Sequence, residues 1–175
     1  MGRKWISVLL LSAAIVVAGV YVRKCKATPA SVGFTGTTIA LGRLDDQVNV
    51  FNQLIPQGAP AWLSMQFTKG SSDLYVQSNS WQPGANTGWH SHPGHSLIVV
   101  TAGTLTNYES SDSACKPTIY TQGMAFVDEG GDHVHNIRNE SSTVATNIAV
   151  QLIPAGAQRR IDAPQPANCP SFPPF

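Results

Sequence analysis

Gly84-Ala-Asn-Thr-Gly-Trp-His-Ser-His-Pro-Gly-His-Ser96, running on into Leu97-Ile-Val-Val-Thr-Ala-Gly103, is the stretch on which the reading of this 175-residue chain turns. One residue separates His90 from His92, and on a strand residues i and i+2 share a face. Two imidazoles so placed can converge on one metal ion, at about 2.0–2.1 Å each for zinc and comparably for other first-row ions. A second His-x-His pair, His133 with His135, follows downstream, and the fifth histidine, His95, sits beside the first pair. A single pair arises readily by chance on a surface strand. Two pairs that use four of the five histidines point instead to a site.

Outward from this stretch the chain reads as short strands divided by turn residues. The early candidates are Thr37 to Leu41, Val48 to Phe51, Trp62 to Phe67 and Leu74 to Ser78. After Gly84 come Leu97 to Thr101, Thr104 to Tyr108, Thr118 to Tyr120, Met124 to Val127, His133 to Arg138 and Ala145 to Ile153. Fifteen Gly, twelve Pro and only 12% charged residues favour an all-β fold, a sandwich or barrel, over a helical one. The length fits one domain with a core of its own.

The N-terminus is read separately. Arg3 and Lys4 precede an apolar run from Trp5 to Val22, as in an export signal. Residues 1–30 are therefore expected to be a signal peptide, cut after Ala27 or Ala30, or an uncleaved signal anchor holding the protein to a membrane through residues 5–22. The expected location is outside the cytoplasm, periplasmic or extracellular. Five of the 11 basic residues (Arg3, Lys4, Arg23, Lys24, Lys26) belong to this leader, which leaves six against ten acidic residues, a formal charge of −4. That balance excludes nucleic acid as the expected partner.

Of three cysteines, Cys25 lies at the leader boundary, leaving Cys115 and Cys169 as a pair in an oxidising compartment. A disulfide between them is expected, tying down a Pro-rich C-terminal tail, residues 164–175.

Taken together, these residues resemble the two motifs of the cupin superfamily. The first motif is Gly, five residues, His-x-His, three or four residues, Glu, six residues, Gly. Gly84, His90, His92 and Gly103 fall in register, and Ser96 stands at the Glu position. The second is Gly, five residues, Pro-x-Gly, two residues, His, three residues, Asn. Gly123, Gly131, His135 and Asn139 match it, with Glu129 in place of Pro and one extra residue before His135. The chain is similar to small exported bacterial cupins with a Gly-Trp-His-Ser-His-Pro-Gly segment and a C-terminal Asn-Cys-Pro.

The resemblance implies a double-stranded β-helix, or jelly-roll barrel, here over residues 31–163, with one divalent transition metal ion (iron, manganese, zinc, nickel or copper) inside its mouth. It implies His90, His92 and His135 as ligands. Ser96 in place of a carboxylate makes the site a neutral three-histidine one, similar to the iron centres of some cupin thiol and gentisate dioxygenases, or else leaves a barrel that binds no metal. Many cupins are dimers, so a homodimer is a candidate assembly.

The remaining residues carry weaker signals. His133 would share the inner face with His135 on a regular strand, as a further ligand or proton carrier, whereas a bulge would turn it away. His95 is out of phase with Ser96 and reads as an outward-facing or rim histidine, its loop position keeping it, like Ser96, a candidate further ligand or supporting group. Trp62 and Trp81 read as barrel-packing aromatics and Trp89 as packing against the outer layer. Asp128, Glu129 and Asp132 read as a solvated acidic turn, with orientation of the histidines or binding of a cation as the alternatives. Arg159 and Arg160 read as surface residues. No nucleophile elbow or nucleotide motif is present. Two functions remain open: a metal-dependent enzyme acting on a small molecule, dioxygenase-like or lyase- or isomerase-like, and a non-catalytic barrel that binds a small ligand or a metal. A polar pocket would favour the first and a dry apolar one the second.

Overall fold

The computed structural model describes residues 31–172 except positions 56 and 59. The leader expected over residues 1–30 lies outside the described residues. Twelve strands account for the regular structure: β1 (Val32–Leu44), β2 (Asn49–Leu54), β3 (Trp62–Phe67), β4 (Ser72–Asn86), β5 (His90–Ser91), β6 (Ser96–Ala102), β7 (Thr104–Glu109), β8 (Thr118–Thr121), β9 (Ala125–Asp128), β10 (His135–Arg138), β11 (Ala145–Pro154) and β12 (Ile161–Asp162). No helix occurs among the described residues, so none there could cross a membrane as a helix.

Ten strands make one sheet along the path β12-β5-β10-β4-β11-β6-β9, with β1 on β4, β7 on β10 and β8 on β7. Every pairing is antiparallel, and the sheet curls into a nearly closed barrel. The all-β architecture expected from the sequence is the one observed. β4, at 15 residues, is far longer than the segment read from Leu74 to Ser78, because it pairs with β1 along nearly its whole length and with β11 over Ser72 to Trp81. Strands β5 and β12 are two residues each, too short for a period-2 pattern to reveal, and exist by pairing, β12 with β5 and β5 with β10 in turn.

β6 shows how local pattern becomes burial. Ser96, Ile98 and Val100 are buried while Leu97, Val99 and Thr101 are exposed, the alternation a strand with one covered face requires. In β11 the inward positions are Ala145, Asn147, Ala149 and Gln151, half of them polar. The barrel interior is therefore apolar at one end and polar at the other. The apolar end packs Trp81, Ala85, Ile98, Val100, Leu105, Phe126 and Ile137, with the Phe34 ring tilted against Trp81 at a centroid distance of 4.4 Å. Each large side chain buried there contributes about 1.5–3 kcal/mol.

Two motif residues close this end. Gly103 turns β6 into β7 at φ +71°, and a side chain there would come within 2.8 Å of the Ala145 backbone, so glycine is required. Asn139, fully buried, donates to the carbonyls of Trp81 and Thr143 and accepts from the Ser141 amide and hydroxyl. It thereby pins the loop after β10 to β4.

A second cluster lies behind the histidine segment, where Trp89, Tyr108, Ala163 and the Cys115–Cys169 disulfide pack together with Val134 and Phe172. Trp89 is 1% exposed and its indole N–H donates to Gln165, so it sits beneath the C-terminal segment rather than against an outer layer. Trp62 departs further from expectation. It is 55% exposed, because β2 and β3 form a separate two-stranded sheet in place of barrel wall.

Candidate metal centre

The polar end of the barrel holds the histidines. His90 on β5 stands directly opposite His135 on β10 in the antiparallel register, and His92 follows β5 by one residue. Ring centroids are 4.8 Å apart for His90 and His92, 4.3 Å for His90 and His135, and 5.6 Å for His92 and His135. One ring nitrogen from each falls within 4.8 Å of the others. Strand pairing thus brings together, across 45 residues of sequence, the three side chains that the motif resemblance implied as ligands.

The donor set suits a metal ion. His90 Nδ1 lies 3.0 Å from the Gly88 carbonyl and His92 Nδ1 bonds the Arg159 carbonyl, which places those protons on Nδ1 and leaves Nε2 as the donor in each ring. Burial, with His135, Arg160 and His92 nearby, holds His90 far below the usual imidazole range. Burial also lowers His135, to about 4, against the opposing pull of Asp128. His90 and His135 are therefore neutral at ordinary pH, with lone pairs available, which is the state a metal ligand requires.

The other expected site residues divide. Ser96 lines the same cavity and its hydroxyl donates to Asp128 Oδ2 at 3.3 Å. His133 precedes β10, is 42% exposed at its side chain and pairs with Glu129 at 2.8 Å, outside the histidine cluster. β10 begins only at His135, so the i, i+2 parity that would have aligned the two histidines does not apply. His95 lies 3.4 Å from the Gln66 amide beside a different cavity.

Three residues read as solvated or surface groups belong to the site. Asp128 is 5% exposed, and its Oδ2 lies 3.4 Å from His92 Nε2 and its Oδ1 3.6 Å from His135 Nδ1. Oδ1 also accepts the Gly130 amide at 3.0 Å, which fixes the carboxylate. Arg159 and Arg160, half-buried, line the cavity. Arg159 stacks on Tyr75 and donates to Gln151 and Gln77, and Arg160 donates to the Thr87 carbonyl and pairs with Asp162. Neutral acceptors and an aromatic face make their burial affordable.

The cavity above the histidines measures about 220 Å³. It is lined by the apolar Phe34, Trp81, Ile98 and Ile137 and by the polar Gln77, Asn79, Asn147 and Gln151 with the two arginines. Such a space admits a small organic molecule that carries both apolar and polar groups.

Fold and site together define a class, an antiparallel barrel with three histidines converging inside its polar end. Neither a protein-family model nor a curated protein matches the sequence. Among solved structures, the chain is similar to a cupin-like protein from Thermotoga maritima, at 22% identity over 52% of this chain and 65% of that one, with a TM-score of 0.44. A conserved Klebsiella pneumoniae protein with a double-stranded β-helix domain aligns at 19% identity over 53% of this chain and 76% of that one, TM-score 0.44. A conserved Streptococcus pyogenes protein of unknown function aligns at 15% identity over 64% and 78%, TM-score 0.40.

Proposed function

We propose that this protein is an exported metal-dependent enzyme of the cupin kind, holding one divalent transition metal ion through His90, His92 and His135 and acting on a small molecule in the adjoining cavity. The observation that carries the reading is the cluster of three ring nitrogens within 4.8 Å, two of whose rings are oriented by backbone carbonyls. A metal ion bound there supplies Lewis-acid or dioxygen-activating chemistry. The protein's own residues do the rest. Asn79 and Gln151 offer hydrogen bonds that orient a substrate, Arg159 and Arg160 add positive charge, and Trp81, Ile98 and Ile137 keep water from its apolar groups. This mixed lining favours catalysis over the alternative of a non-catalytic barrel that stores a metal or binds a ligand. The disulfide supports a location outside the cytoplasm.

Elemental analysis of the protein lacking residues 1–30, purified without added metal beside a His90→Ala/His135→Ala variant, tests the reading. The expected result is near-stoichiometric metal in the first and none in the second, followed by oxygen-uptake and lyase or isomerase screens with the ion found. No metal in either, even after incubation with iron, manganese, nickel, copper and zinc, refutes it.

A further inference from the structure

Resting on the three-histidine reading, we infer that Asp128 is the fourth, anionic donor of the metal centre, supplying from β9 the carboxylate that Ser96 on β6 does not. The register carries the inference. Ser96 and Asp128 are directly paired across β6 and β9, and both face the cavity. A carboxylate lost from one strand has its place taken from the opposite strand at the same level of the barrel.

Distance to His92 supports ligation beside that ring, while the donor atoms that all lie within 4.8 Å of one another are those of the three histidines alone, so the carboxylate closes onto the ion from the His92 side. Two donors each about 2.1 Å from one ion stand roughly 3.0–3.4 Å apart for bond angles between octahedral and tetrahedral values. Asp128 Oδ2 is 3.4 Å from His92 Nε2, the donor nitrogen of that ring. Its partners do not compete for this role. Oδ1 takes the Gly130 amide, while Oδ2 receives only the weak 3.3 Å bond from the Ser96 hydroxyl. Ser96 therefore steers the carboxylate, and its small side chain leaves room for it.

Charge supports it as well. Buried three-histidine ligation alone leaves both charges of a divalent ion uncompensated beside Arg159 and Arg160, and a carboxylate buried to 5% exposure needs a cationic partner of its own. Among the described residues no lysine or arginine pairs with Asp128; the groups nearest its oxygens are the His92 and His135 rings. A metal ion held by those two histidines meets both needs at once.

The test is titration of metal-free protein with cobalt(II), following affinity and the visible d–d spectrum, in the wild type, Asp128→Asn and Asp128→Asn/Ser96→Glu. Asparagine keeps the shape and the acceptor for Gly130, so the fold is retained; circular dichroism checks this. Loss of a partner outside the ligand sphere weakens binding about 10–100-fold. Asp128→Asn is expected to exceed about 100-fold and to alter the cobalt spectrum, and the Ser96→Glu exchange to recover most of the affinity. A folded Asp128→Asn protein with the wild-type spectrum, or with binding weakened by less than about 100-fold, overturns the assignment and leaves the three-histidine site standing. A wild type that binds no cobalt overturns the underlying site instead.

Discussion

Removing the Cys115–Cys169 disulfide should be among the most damaging changes that touch no cavity residue. The bond closes a loop of sequence separation 54. In the chain-entropy account, closing a loop of that length removes about 4 kcal/mol of conformational entropy from the unfolded state. Nothing in the folded state offsets this loss when the bond is cut, because the sulfurs are buried among Trp89, Tyr108 and Ala163, where two alanines leave a small void. Against a total stability of about 5–15 kcal/mol, the effect is large. Equilibrium unfolding in urea of the Cys115→Ala/Cys169→Ala variant should show a midpoint lower by roughly 2 M, at a slope near 2 kcal/mol/M. Wild-type protein unfolded in the presence of reductant should move the same way. A midpoint shift below about 0.5 M would refute the reasoning, since it would mean that the tail is held by Trp89, Phe172 and Gln165 alone and that the bond constrains little.

Three further outcomes are expected. A side chain at Gly130 meets the Gly94 carbonyl at 2.3 Å with φ at +69°, whereas at Gly131, φ +62°, it meets open space; Gly130→Ala should therefore cost clearly more stability than the roughly 1 kcal/mol of Gly131→Ala, and equal midpoints in urea would contradict the packing. The Arg43 guanidinium, and then the Gly156 amide, hold Asp73 below the usual carboxylate range. A carboxylate lowered in the folded state stabilises above its unfolded value near 4 and loses that contribution as pH falls through the folded value, so the Tm difference between wild type and Asp73→Asn should be constant near neutrality and shrink below about pH 4. Finally, the separate β2–β3 sheet exposes Phe51, Trp62, Met65 and Phe67 at 55–62%, and a lone hairpin is marginal in water. A second copy of the chain is expected to cover it; light scattering should report a dimer, and Phe51→Ser/Phe67→Ser a monomer, with a monomeric wild type contrary to this account.

What the sequence made legible, and what it hid, divides along one physical line. Features set by local composition or by motif spacing were readable: the strand from Leu97 to Thr101, Gly103 as a motif position, the paired His90 and His92. Features set by partner strands were not. Trp62 to Phe67 was recognisable as a strand with the bounds observed, yet the same residues do not say that β3 leaves the barrel, because an alternating pattern states only that a strand forms and not what covers it. Arg159 and Arg160 read as surface residues because adjacent charges are costly to bury, and the Tyr75 face and the Gln77, Gln151 and Thr87 acceptors that lower the cost come from elsewhere in the chain.

Asp128 shows the same limit at the site itself. Beside Glu129 and Asp132 it has the composition of a solvated turn, and nothing within ten residues on either side distinguishes it from them. Its place follows from the β6–β9 register, which sets it opposite Ser96, and from parity, which turns Asp128 and Phe126 inward and Val127 outward. Once that register is known, the missing carboxylate at position 96 and the buried carboxylate at 128 become one observation instead of two. A motif written along a single strand records which position bears a charge; the barrel requires only that some strand at that level bear it. Substitution of one ligand can therefore be balanced by a residue remote in sequence and adjacent across the sheet, and the search for it belongs on the paired strand.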